Sequence, residues 1–232
     1  MRVFVAGAAG AIGRQLIPIL VGAGHDVVGT TRSTDRAKWL ASAGARPVIV
    51  DAYDRDALHA ALAEARPDVV VHQLTDLAGG FDAENLASSG RLREVGSRNL
   101  VDAAVAAGAG RLVAQSGAWL YADGPLPHDE SHPLRKPTDD PPDASVRGIL
   151  ALERVVMGTP GIDGIVLRYG FFYGPNTAWS AENAPEPHVS VEAAARATAA
   201  AVERGPAGIY NVVDDTDAIS NTRARELLGW QP

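Results

Sequence analysis

Short apolar runs alternate with apolar-periodic stretches along the whole chain. Arg2–Ala6 is apolar and leads into glycine-rich sequence, after which Ala11–Ala23 repeats its apolar positions at helical spacing. The pairing recurs twice: Asp26–Thr30 precedes a helical Thr34–Ala43, and Arg46–Val50 precedes a helical Arg55–Ala65. Asp68–His72 reads Asp-Val-Val-Val-His, near-continuous β-branched sequence that marks a strand buried on both faces. A long helix is predicted over Glu84–Ala107, a strand over Arg111–Gln115 and a helix over Val146–Met157. A proline-rich loop, Gly124–Asp143, separates the last two. Gly164–Arg168, Val191–Arg204 and Gly208–Val213 read as strand, helix and strand. Strands alternating with helices imply βαβ units and a parallel sheet, so the fold class is α/β.

Size and composition narrow the function classes. The 232 residues suffice for one full α/β domain and a modest appendage. A net charge of −7 gives no electrostatic footprint for nucleic acid or an anionic membrane. There is no cysteine, which removes disulfides, thiolate metal sites and thiol nucleophiles. No apolar run approaches the roughly 18 residues of a membrane span. Glycines and Arg14 interrupt the apolar start too early for a signal peptide, so a cytoplasmic protein is expected. Of 21 basic residues only Lys38 and Lys136 are lysines, so any lysine-dependent chemistry must use one of them.

The first turn carries the strongest motif. Val3–Ala6 is followed by Gly7-Ala-Ala-Gly10-Ala11-Ile12-Gly13, a strand, a G-x-x-G-x-x-G turn and a helix. Gly7 suits the tight turn, Gly10 the approach of backbone to a pyrophosphate, and Gly13 close packing of helix on strand. The helix N-terminus then presents free amides to phosphate. At the end of the second strand no carboxylate precedes Asp35. Thr31 stands where one would bind the ribose hydroxyls of NAD, and Arg32 follows it. An arginine fork suits a 2′-phosphate, so NADP is the expected cofactor, with Arg36 as a second contact and a solvated surface role for Arg32 still open. Asp51 and Ala52 follow the third strand, where Asp51 suits the adenine amino group or a helix cap. Leu74 and Thr75 follow the fourth strand and are expected along the pyrophosphate and ribose.

The chain resembles the short-chain dehydrogenase/reductase superfamily, in its extended, epimerase/dehydratase-like branch. The resemblance rests on Gly7, Gly10 and Gly13, on Asp51, and on Arg168-Tyr-Gly-Phe-Phe-Tyr-Gly-Pro175. His188-Val-Ser-Val and the terminal Leu227-Leu-Gly-Trp-Gln-Pro extend it over nearly the whole chain. It implies a Rossmann-type doubly wound parallel sheet, residues 1–175, carrying NAD(P). A reduced C-terminal substrate region, residues 176–232, would also return a helix and a strand to the core. Tyr169 and Phe172 would lie along the nicotinamide side. Asn176–Pro187 is shorter than the family's usual segment there. The branch also allows a homodimer.

The family's Tyr-x-x-x-Lys is missing. None of Tyr53, Tyr121, Tyr169, Tyr173 and Tyr210 has a lysine four residues later. Aligning Glu153 and Leu120-Tyr121 with the family puts Gly117, Ser145 and Ile149 at the Ser, Tyr and Lys positions, as in atypical members. Tyr121 and Ser116, at the mouth of the fifth strand, become the expected catalytic pair, with a packing role for Tyr121 open. Without the lysine the phenol would stay near its usual pKa of about 10, a poor base at neutral pH. His128, Asp129, Glu130 and His132 read as a charged loop rather than a metal site. Trp119, Phe171 and Tyr173 extend an aromatic wall on the substrate side. The expected function is NADP-dependent hydride transfer, oxidoreductase or epimerase/dehydratase-like, on a small carbonyl or hydroxyl substrate. The alternative is a non-catalytic NADP(H)-binding sensor.

Overall fold

The computed structural model describes residues 1–77 and 79–232. Nine strands and eight α-helices are assigned among them. Five units open the chain: β1 (Arg2–Ala6), α1 (Ala11–Gly22), β2 (Asp26–Thr31), α2 (Thr34–Ser42) and β3 (Arg46–Ile49). Then come α3 (Arg55–Ala65), β4 (Val69–His72), α4 (Ala83–Arg91), α5 (Ser97–Ala106) and β5 (Arg111–Gly117). The second half holds α6 (Ala144–Gly158), β6 (Asp163–Tyr169), β7 (Phe171–Tyr173), β8 (His188–Ser190), α7 (Val191–Glu203), β9 (Gly208–Val212) and α8 (Thr222–Leu228).

Seven strands form one sheet in the order β3-β2-β1-β4-β5-β6-β9, with every pairing parallel. This is the doubly wound Rossmann-type arrangement. Its order reverses between β1 and β4, the switch point outside which such sheets bind ligands. Val3 and Val5 of β1 face one core layer with Leu16 of α1, Leu40 of α2 and Ala197 of α7. Phe4 and Ala6 face the other, with Leu58 of α3, Leu100 of α5 and Leu152 of α6. Val69–His72 is buried throughout, as its continuous β-branched sequence requires.

The structure departs from the sequence expectations in three places. The long helix is interrupted by a π-helical turn, Leu92–Gly96, between α4 and α5. A two-stranded parallel ribbon, β7 with β8, follows the main sheet at Phe171–Tyr173. The tail forms α8, too short for a periodicity reading. Beyond Asn176, α7 packs in the α1 layer and β9 joins the sheet edge. No described helix is long and apolar enough to cross a membrane.

Candidate active site

The cleft lies at the carboxyl edge of the sheet over the switch point and has two lobes. The wider, of about 370 Å³, runs from Gly7 and Gly10–Gly13 past Gln73, Gln115 and Phe172 to Phe81 and Trp179. The narrower, of about 110 Å³, is walled by Thr31, Arg32, Asp51, Ala52 and Leu74. Gly7, Gly10, Arg36, Gln73 and Thr75 line both. Of the thirteen residues expected to bind the cofactor, all but Tyr169 line one lobe or the other.

The glycine turn explains itself locally. Gly7 has φ +83°, and a Cβ there would meet the Gln73 carbonyl oxygen at 2.5 Å. A Cβ on Gly13 would meet the Ala8 carbonyl oxygen at 2.2 Å, so helix and turn pack too closely for any side chain. At Gly10 the nearest atom is the Gly7 carbonyl oxygen at 3.3 Å and the remaining space is cleft. Helices α2, α3, α4 and α7 begin under side-chain caps from Ser33, Asp54, Asp82 and Ser190. Helix α1 begins on Gly10 with no side-chain cap and no acid in its first turn. Its leading amides and positive dipole end therefore open on the cleft, a ready anion cradle.

The narrow lobe is charged. The Arg32 guanidinium is more than half exposed and lies 3.5 Å from Asp76 Oδ1. Thr31 Oγ1 accepts from the Ser33 amide at 3.1 Å, which fixes the turn after β2. Asp51 Oδ1 accepts from the Tyr53 amide, while Asp54 supplies the cap of α3. Asn99 donates to the Ala52 carbonyl at 2.9 Å and braces that loop from α5.

Gln73 and Tyr169 mark the wide lobe's floor. Tyr169 is buried, and its hydroxyl bonds Thr198 Oγ1 at 2.7 Å, so the ring underlies the cleft rather than lining it. Burial pushes this phenol well above its ordinary pKa. The Gln73 amide sits close enough to that hydroxyl to favour its ionised form, yet outside hydrogen-bond geometry. Both Gln73 Oε1 and Nε2 are buried without a partner.

Ser116 and Tyr121 are joined through Glu153 and Arg168, and neither lines either lobe. Ser116 Oγ donates to Glu153 Oε1 at 2.5 Å. Arg168 grips Glu153 through Nε and Nη2, at 2.9 and 2.8 Å. Its Nη1 donates to the Tyr121 hydroxyl at 3.0 Å, and that hydroxyl donates to Asn211 Oδ1 at 2.7 Å. Burial opposes the Arg168 cation, but the Glu153 carboxylate outweighs it and raises the arginine pKa. Burial pushes the Tyr121 phenol up, against the pull of Arg168. The result is a closed polar network joining β5, α6, β6 and β9.

The positions that the family gives to tyrosine and lysine hold Ser145 and Ile149, both buried. Ser145 Oγ accepts from Arg93 Nη1 at 2.8 Å. Arg93, in the π-helical turn, is 5% exposed and makes no ion pair among the described residues. Burial lowers its pKa to about 10, so it stays charged at neutral pH. Burial and this cation hold the nearby His72 down at about 3.

Sequence reasoning missed Gln73, Arg93, Phe81 and Trp179. Phe81 stacks obliquely on Trp179 at 5.0 Å, Trp179 meets Phe171 edge-on at 5.5 Å, and Phe171 stacks on Trp119 at 5.7 Å. These rings line and back the open end of the wide lobe. A polar residue directly after Val-Val-Val-His was the one local signal for Gln73. The aromatic pairing had none, because its members are far apart in the chain. Among the described residues no three His, Cys, Asp or Glu gather as metal ligands.

Comparison with known proteins agrees with this fold. A family model, the NAD dependent epimerase/dehydratase family, matches residues 3–210. The 3-diazoavenalumate denitrifying reductase of a Streptomyces species is 41% identical over 94% of this chain and 77% of its own length. A 4-hydroxy-2-methyl-3-oxo-4-farnesyl-3,4-dihydroquinoline-1-oxide ketoreductase of Stigmatella aurantiaca is 33% identical over 75% of this chain and 51% of its own. The UDP-glucose 4-epimerase of Thermotoga maritima shares the fold, with TM-score 0.79 and 18% identity over all of this chain and 94% of that one. Enzyme relatives of this reach set aside the non-catalytic alternative. The chain belongs to the NAD dependent epimerase/dehydratase family and is an NAD(P)-dependent enzyme of its oxidoreductase and epimerase type.

Proposed function

We propose that this protein is an NADPH-dependent reductase whose small aromatic substrate takes up hydride without a proton from any side chain, the substrate class being diazo. The observation that carries the proposal is the make-up of the wide lobe. Its described lining holds no Asp, Glu, His, Lys or Tyr. Gly7, Gly10 and the first turn of α1 hold the pyrophosphate, and Arg32 with Arg36 takes the 2′-phosphate. Thr31, Asp51, Ala52, Leu74 and Thr75 enclose the adenosine side. Phe172 bounds the nicotinamide side, and Tyr169 supports it from below. The bound cofactor supplies hydride. The stacked Phe81 and Trp179 offer a planar substrate an aromatic wall.

A carbonyl acceptor becomes an alkoxide and needs a proton, which in this family resemblance a tyrosine supplies. An arenediazonium does not: the cation gains hydride, the carbon–nitrogen bond breaks, and dinitrogen leaves with the arene neutral. Loss of the tyrosine and lysine costs that reaction nothing. The relative whose description names a diazo substrate and a denitrifying reduction covers nearly the whole chain, which supports the same reading. In it Tyr121 and Ser116 position the wall of the site through Glu153 and Arg168. The ketoreductase relative favours a second reading, a carbonyl substrate protonated by water.

The test is incubation with NADPH and a methoxy-substituted arenediazonium salt, with Gly10→Val as the control for uncatalysed reduction. NADPH loss should match denitrified arene one for one, at a rate flat across neutral pH. Diazonium reduction no faster than with Gly10→Val overturns the diazo proposal, and turnover of a ketone panel instead establishes the second reading.

A further inference from the structure

We infer that Gln73 is the positioning residue for the nicotinamide riboside half of the dinucleotide, through an amide that the fold itself leaves unpaired. The inference rests on the dinucleotide reading above and names a residue that reading does not need.

Gln73 follows four buried residues of β4 at the centre of the sheet. The residue is only 6% exposed, and neither Oε1 nor Nε2 has a hydrogen-bond partner among the described residues. A buried amide in this state destabilises the protein unless something pairs with it. Thr198 donates to the Ala194 carbonyl, so the Tyr169 hydroxyl donates to Thr198, and its oxygen, though free to accept, lies near the Gln73 amide outside hydrogen-bond geometry. Leucine or valine would fill the position at no such cost, as Val71 and Val69 do two and four residues earlier on the same face.

Gln73 lines both lobes, with its amide buried just behind the surface they share. Adenosine-side groups wall the narrow lobe; Gln115 and Phe172 belong to the wide one. A dinucleotide lying across the switch point must pass its second riboside over Gln73. The hydroxyls and carboxamide of that riboside both donate and accept, as a glutamine amide does. One face of the amide is therefore satisfied only when the nicotinamide half is bound. The apo protein carries the unpaired group; the complex does not.

The roles of stability and binding are thereby opposed, and the test uses that opposition. Gln73→Leu is compared with wild type for affinity to NADP⁺, for affinity to adenosine 2′,5′-bisphosphate, which lacks the nicotinamide riboside, and for thermal midpoint without ligand. Loss of two neutral hydrogen bonds should weaken NADP⁺ about tenfold, leave the bisphosphate unchanged and raise the apo midpoint. Gln73→Met, which keeps the length and removes the amide, should behave alike and serves if the leucine variant misfolds. Unchanged NADP⁺ affinity with a lowered midpoint makes Gln73 structural and overturns the inference. Equal weakening of both ligands means a distorted cleft and overturns it too. Wild type that binds the bisphosphate and NADP⁺ equally removes the inference but leaves the adenosine site standing; wild type that binds neither removes the dinucleotide reading itself.

Discussion

Arg32→Ala should separate NADPH from NADH. A charge-assisted hydrogen bond to a 2′-phosphate contributes about 1.5–3 kcal/mol. Two structural facts reduce it. The Arg32 side chain is 58% exposed and already lies 3.5 Å from Asp76 Oδ1. Turning to a phosphate gives up that pair, which as a surface contact is worth about 0–1 kcal/mol. The surplus is about 0.5–3 kcal/mol, or roughly 2- to 150-fold in the NADPH dissociation constant. NADH has no phosphate at that position, so its affinity should not move. Asp76→Asn removes the competing carboxylate while keeping an acceptor for the Ser88 hydroxyl, 2.7 Å away, and should tighten NADPH about 2- to 5-fold. Arg36 remains in the cleft, so only the double change with Arg36→Ala should abolish the preference. Titration by nicotinamide fluorescence at low and high salt reads all four proteins, and the preference should shrink as salt screens the contact. Wild type binding both cofactors equally, or Arg32→Ala weakening both equally, refutes the reasoning.

Three further outcomes follow from the geometry. Gly10→Val should abolish cofactor binding with the fold intact, since its Cβ enters open cleft, whereas Gly13→Val should unfold the protein against the Ala8 carbonyl; titration beside thermal melts distinguishes them. Tyr121→Phe leaves Arg168 Nη1 and Asn211 Oδ1 without their partner and should cost about 1–3 kcal/mol of stability with turnover retained. A rate loss of about 10²–10⁴-fold at unchanged stability would instead identify Tyr121 as the proton donor. His72, buried and near Arg93, titrates at about 3 in the folded protein against 6.5 as its ordinary value. The unfolded chain therefore binds the extra proton first, and the stability this group contributes is whole above pH 6.5 and falls as pH drops toward 3. By pH 5 the loss should be about 2 kcal/mol, measured by denaturant melts, and His72→Gln should flatten that slope.

The alternation of apolar runs and helical stretches determined the parallel α/β sheet, because a strand buried on both faces and a helix buried on one leave different periodicities. The glycine turn was equally legible, since its three positions answer to contacts within a few residues or to one strand crossing. Thr31 and Arg32 were legible for the same reason: the end of β2 lies beside the turn. What sequence could not supply was the partner of each polar side chain. Ser116 looked catalytic by position, but in β5 neighbouring residues face opposite sides of the sheet. Leu112 and Ala114 point into the α3/α5/α6 layer, and Ser116, of the same parity, meets Glu153 there. Val113 points into the α1/α7 layer, and Gln115 follows it to the cleft. Which parity faces the ligand depends on the sheet's layering, and only the tertiary structure decided it. The same holds for Gln73, Arg93 and the Phe81–Trp179 pair. An unpaired amide, an arginine without a carboxylate and two rings 98 residues apart are relations between distant segments, and no local pattern encodes them.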